Sequence, residues 1–78
     1  MIQFKVRLKN SREQSIELRL EPWGEVYSLE AGSIVEVRAS GPEDGLLEIE
    51  TDNISITIYG WVGSTVALFC DGLPLLRK

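Results

Sequence analysis

Apolar and polar residues alternate along most of the chain. Ile2, Phe4, Val6 and Leu8 are separated by Gln3, Lys5 and Arg7; Ile16, Leu18 and Leu20 by Glu17 and Arg19. Val35 and Val37 flank Glu36, Leu47 and Ile49 flank Glu48, and Ile54, Ile56 and Ile58 are separated by Ser55 and Thr57. A period of two puts one set of side chains on a buried face and the other in water, the pattern of strands in antiparallel sheets. No window carries a convincing helical period, and β-branched residues crowd the runs.

The interruptions agree with this reading. All seven glycines, at 24, 32, 41, 45, 60, 63 and 72, fall between the runs, where turns require unusual backbone angles. Asp71-Gly72 is a two-residue hairpin signal, Asp52-Asn53 predicts a second tight hairpin, and Asn10 to Gln14 a looser first one. Pro74 makes the last run an edge strand or a docked tail. These signals predict about eight short strands, over 2–8, 15–20, 26–29, 33–39, 46–51, 54–59, 65–70 and 73–76. The expected fold is all-β, a small antiparallel sandwich of jelly-roll-like kind spanning 1–78 as one domain. A small closed barrel is the alternative, because the same apolar residues would fill either interior.

Size and composition narrow the chemistry. Seventy-eight residues bury a modest core, which small domains supplement with disulfides, metals or self-association. Cys70 is the lone cysteine and histidine is absent, so no intrachain disulfide forms and the usual neutral-pH proton shuttle is missing. The charged residues from position 5 onward leave no apolar leader, and no apolar run nears the roughly 20 residues of a membrane helix. With an unpaired thiol, these features predict a cytoplasmic protein. The net charge of −4 argues against nucleic acid as a partner. Charge is also segregated: Lys5, Arg7, Lys9 and Arg12 precede a stretch, 13–76, that holds all 12 acids against only Arg19 and Arg38. Such segregation fits neighbouring strands of complementary charge, or a molecule that docks basic face to acidic face.

Catalytic constellations do not emerge. Cys70 ends an apolar strand without a base to activate it, the setting of a small buried hydrophobe. Glu43, Asp44, Glu48, Glu50 and Asp52 lack the spaced ligands and fixed glycine of a calcium loop and read as a solvated face. Gly60 and Gly63 precede a strand and not a helix, so no phosphate loop is present. No enzyme activity, metal or cofactor is expected.

The stretch Leu20-Glu21-Pro22-Trp23-Gly24-Glu25-Val26-Tyr27-Ser28-Leu29-Glu30-Ala31-Gly32 resembles a pattern in short uncharacterised bacterial all-β proteins. Those carry Glu-Pro-Trp-Gly, then a tyrosine, a leucine and a glycine before the next strand. The likeness extends to Tyr59-Gly60-Trp61 and Asp71-Gly72. It implies a bacterial source and names no function. The step from Tyr27 to Val37 also resembles the strand–turn–strand unit of β-sandwich and cupin-like proteins, without the histidines of the cupin metal site. That likeness implies fold alone.

One surface stands out. If successive strands reverse direction, the loops 21–25, 40–45 and 60–64 share one end of the domain. That end would gather Trp23, Tyr59, Trp61, Pro42, Glu21, Glu25, Glu43 and Asp44. Aromatic rings among carboxylates suit a partner protein, or a cationic or sugar-like small ligand. Alternatively, the tryptophans fold inward and plug the end. The expected function is a non-catalytic interaction or self-association module, with small-ligand binding as the alternative. A second candidate contact is Phe69 with Leu73 and Leu75. The strand 65–70 has no charge on either face, and such a strand is normally covered on both sides. Here the cover would be a homodimer partner or the chain's own tail.

Overall fold

The computed structural model describes residues 1–77. Eight strands form: β1 (Ile2–Lys9), β2 (Ile16–Glu21), β3 (Glu25–Leu29), β4 (Ile34–Gly41), β5 (Glu48–Thr51), β6 (Ser55–Tyr59), β7 (Thr65–Cys70) and β8 (Leu73–Pro74). They divide into two four-stranded sheets, ordered β1-β4-β7-β8 and β3-β2-β6-β5, with no closed barrel among the described residues. The fold is therefore a small all-β sandwich.

Alternation dictates which side chains meet between the sheets. In β2, Ile16, Leu18 and Leu20 are buried while Glu17, Arg19 and Glu21 face outward. In β4, Val35, Val37 and Ala39 turn inward, and in β6 Ile56 and Ile58 do so. Leu18, Val35, Val37 and Ile58 lose all contact with solvent. Tyr27, Leu29 and Leu68 complete the core, with Val6, Leu8, Leu47, Val66 and Leu75 packed around it.

Four features depart from the sequence reading. First, the second sheet is mixed: β2 and β6 run parallel, Leu18 opposite Ile56 and Leu20 opposite Ile58. Alternation reports a one-sided burial, which a parallel pair at the centre of a one-sided sheet also satisfies, so it does not reveal strand direction. Second, 10–14 is not a hairpin. β1 pairs with β4 and β2 with β3 and β6, so this segment carries the chain from one sheet to the other. Third, β8 is only Leu73–Pro74 and not 73–76. Pro74 has no N–H to donate, although Leu75 N–H still reaches Leu68 O at 2.9 Å. Fourth, Ile54, expected in the core with Ile56, lies instead in the β5–β6 turn and is exposed.

The crossover is secured by Asn10, which is buried. Its amide donates to the carbonyls of Gln14, Leu29 and Glu30 at 2.9, 3.0 and 3.2 Å, and its side-chain oxygen accepts from Arg12 N–H at 3.0 Å. Asn10 O accepts from Gly32 N–H at 2.8 Å. One side chain thus ties the β1–β2 crossover to the β3–β4 turn. At the β7–β8 hairpin, Asp71 and Gly72 have φ of 53° and 79°, the two positive angles that a type I′ turn demands.

Candidate functional site

Strand direction brings three loops together. The backbone N–H of Gly60, after β6, donates to Glu21 O at the end of β2 at 2.8 Å. The indole N–H of Trp61 donates to Pro42 O, after β4, at 2.9 Å. Segments 22–24, 42–46 and 60–64 therefore occupy one end of the sandwich, with Trp61 and Val62 at the junction of their surfaces.

The two tryptophans play different parts there. Trp61 is half-buried. Its ring lies parallel to Phe4 on the inward side of β1, with centroids 6.0 Å apart, and Ser64 Oγ accepts its backbone N–H at 2.9 Å. The loop after β4 closes over the indole so tightly that a Cβ on Gly45 would sit 1.7 Å from Trp61 Cδ1. Trp61 is thus a lid on the core. Trp23, 42% exposed, rests on the backbone of Gly60, where a Cβ would come within 2.5 Å of its ring. Two further apolar side chains stand out in solvent beside them: Leu46 at 83% exposure and Val62 at 95%. Pro22 and Pro42 fill the gaps between. The result is an open apolar surface with no enclosed cavity.

The carboxylates of this end are mostly engaged locally. Glu21 Oε1 accepts from Gly24 N–H at 2.9 Å and so closes its own turn. Glu25 turns toward β3, where Oε1 accepts from the Tyr27 hydroxyl at 2.5 Å and Oε2 lies 3.6 Å from Arg77. Glu43 lies 3.6 Å from the amino group of Met1. Asp44 borders the surface around Trp61 and Leu46. Tyr59 borders the Trp23 side, but its hydroxyl points along the outer face of the second sheet and donates to Glu50 at 2.9 Å. That bond holds the proton on and raises the Tyr59 pKa. Burial, followed by the bond to Glu25, raises that of Tyr27 to about 12. The structure therefore brings Trp23, Trp61, Tyr59 and Asp44 to one surface and directs Glu21, Glu25 and Glu43 to other partners.

Leu46 and Val62 are the members that the sequence reading passed over. Leu46 and Leu47 are adjacent, so a period of two forces one of them outward; that was the available signal. Val62, between Trp61 and Gly63 in a turn, left no comparable trace.

At the second candidate contact a neighbouring strand supplies a further group. The outer face of Phe69 is occupied by Arg38, whose guanidinium carbon lies 3.8 Å from the ring centroid. Pro74 stands opposite Phe69 in register, Leu75 turns to the core, and Leu73 is exposed. A cation stacked on a neutral aromatic face is a favourable arrangement within one chain. It was not anticipated because Arg38 and Phe69 are separated by two strands of sequence.

Among the described residues no group of three Asp, Glu or Cys side chains converges as a metal site, and no helix is long and apolar enough to cross a membrane. No protein-family model matches the chain, and no curated protein or solved structure is significantly similar to it.

Proposed function

We propose that this chain is a non-catalytic interaction module that engages a partner protein through its loop end. The observation that carries this reading is the exposure of Leu46, Val62 and Trp23 side by side around the Trp61 lid. Monomers seldom keep such contiguous apolar surface without a use for it. A flat apolar centre with an aromatic anchor and a rim of Asp44 and Tyr59 suits a protein surface better than a small cation. One face of Trp61 is already stacked on Phe4, and three of the carboxylates have local partners. The lone thiol of Cys70 is in keeping with a reducing, cytoplasmic setting, which belongs to the same proposal.

The test is comparative capture. The wild-type chain and the Leu46→Asp/Val62→Asp variant are immobilised and exposed to extract of the source cell. A set of proteins held by the first and lost from the second, with both folded by circular dichroism, is the expected result. Identical sets would remove the loop end from the contact.

A further inference from the structure

The outer faces of the two sheets carry opposite charge. On the first sheet, β1 projects Lys5, Arg7 and Lys9, and β4 projects Arg38, against Glu36 and, at the edge, Asp71 of the β7–β8 turn. On the second sheet, β2 projects Glu17 and Glu21 and β5 projects Glu48 and Glu50, against the single cation Arg19. The core lies between the sheets, so these faces point in opposite directions. Because the segregation sits on strands of fixed register, each charge set is a row with a spacing of about 7 Å between alternate residues.

These charges are only partly neutralised within the chain. Arg38 pairs with Glu36 at 2.5 Å and Arg19 pairs with Glu17. Among the described residues, Lys5, Arg7 and Lys9 form no ion pair, nor do Glu48 and Glu50. In the β1–β4 register Arg7 stands opposite Glu36, but Lys5 stands directly opposite Arg38. Like charges placed across a strand pair repel, and a carboxylate brought over them from outside would relieve that repulsion. Beside them β7 presents the small, uncharged Ala67, in register with Arg38.

We propose that copies of this chain associate head to tail, the basic outer face of β1 and β4 seating on the acidic outer face of β2 and β5 of the next copy. The occupant is a second copy because the chain itself presents the complementary rows: cations on the adjacent strands β1 and β4, carboxylates on β2 and β5 to either side of the uncharged β6. Two-fold pairing of like faces would oppose cation to cation or carboxylate to carboxylate. The contact is consequently heterologous, so it adds copies head to tail and does not stop at a dimer. It uses neither the loop end nor its apolar side chains, so it stands apart from the partner contact proposed above.

Sedimentation of the purified chain tests this. At about 20 mM salt the screening length is roughly 20 Å, and at about 0.5 M it is only a few ångströms. The weight-average mass is expected to rise with concentration in the first condition and to fall to that of the monomer in the second. Lys5→Gln/Arg7→Gln blocks one face and Glu48→Gln/Glu50→Gln the other, and each variant alone is expected to stay monomeric. Mixed, they retain one good face each and are expected to give a 1:1 dimer with no larger species. All four positions are exposed, so melting curves close to wild type are expected. A monomer at about 20 mM salt in the millimolar range, or association that survives both about 0.5 M salt and the substitutions, overturns the proposal.

Discussion

The indole of Trp61 lies parallel to the ring of Phe4, with 6° between their planes and 6.0 Å between their centroids. Phe4 belongs to β1 in the first sheet, and Trp61 follows β6 of the second. This one stack closes the end of the sandwich across the gap between sheets. It also fixes the loop 60–64 so that the next residue, Val62, has nowhere to go but solvent. The exposed apolar surface is therefore a consequence of the lid.

The lid makes Gly45 and Gly72 respond differently to the same change. Gly45→Ala places a methyl where the Trp61 ring now lies, and overpacking of this kind costs about 1–3 kcal/mol. The indole must shift, so its fluorescence maximum moves with the loss of stability. Gly72→Ala meets nothing within 4 Å, and only its backbone angle of +79° opposes it, at about 1–2 kcal/mol. Tryptophan emission should be unchanged in that variant. Emission spectra and denaturation curves of the two proteins check both statements.

Asn10 is expected to be the most sensitive polar position. Asn10→Ala leaves the carbonyls of Gln14 and Leu29 without their donor in a buried site, and unsatisfied buried groups cost about 1–3 kcal/mol each. Asn10→Asp supplies no donor for these carbonyls and should be at least as harmful. Equilibrium unfolding in urea reads the effect.

Leu18 faces the opposite sheet with no solvent exposure. Leu18→Ala removes that packing and should destabilise by about 2–5 kcal/mol. The loss appears as a lower denaturation midpoint with an unchanged slope.

The Tyr27 hydroxyl gives the fold an alkaline limit. Its pKa of about 12 in the folded chain lies above the unfolded value of about 10. The native state therefore holds the proton longer than the unfolded chain does. The associated stability is fully present below about pH 10 and is lost as pH rises to about 12. Tyr59 shifts in the same direction through Glu50, so Tyr27→Phe should flatten the pH dependence of the melting temperature only in part. Melting curves between pH 8 and about 12 measure it.

Much of the fold was legible in the sequence because the side-chain period of a strand is a local property. Ile16, Leu18 and Leu20 declare a buried face, and Asp71-Gly72 declares its turn, without reference to the rest of the chain. Pairing is not local. Nothing in the residues 10–14 distinguishes a hairpin from a crossover until Asn10 is seen to bond Leu29 and Glu30 across the sheets. The candidate end was legible to the extent that strand direction alternates, which brought Trp23 and Trp61 together. The directions taken by Glu21, Glu25 and Glu43 were not, since each depends on a partner supplied by the folded chain: the Gly24 N–H, the Tyr27 hydroxyl, and the amino group of Met1. Arg38 over Phe69 is of the same kind, a contact between strands adjacent in space and distant in sequence.

The most direct test of the loop end as a contact surface is site-specific photocrosslinking in the source cell. A photoreactive residue is introduced singly at Val62, at Leu46 and, as a control, at Ala31, exposed in the β3–β4 turn away from both proposed contacts. A discrete adduct of the same mass is expected from positions 62 and 46 and none from position 31. No adduct from 62 or 46, or the same adduct from all three, would contradict the loop end as the contact surface.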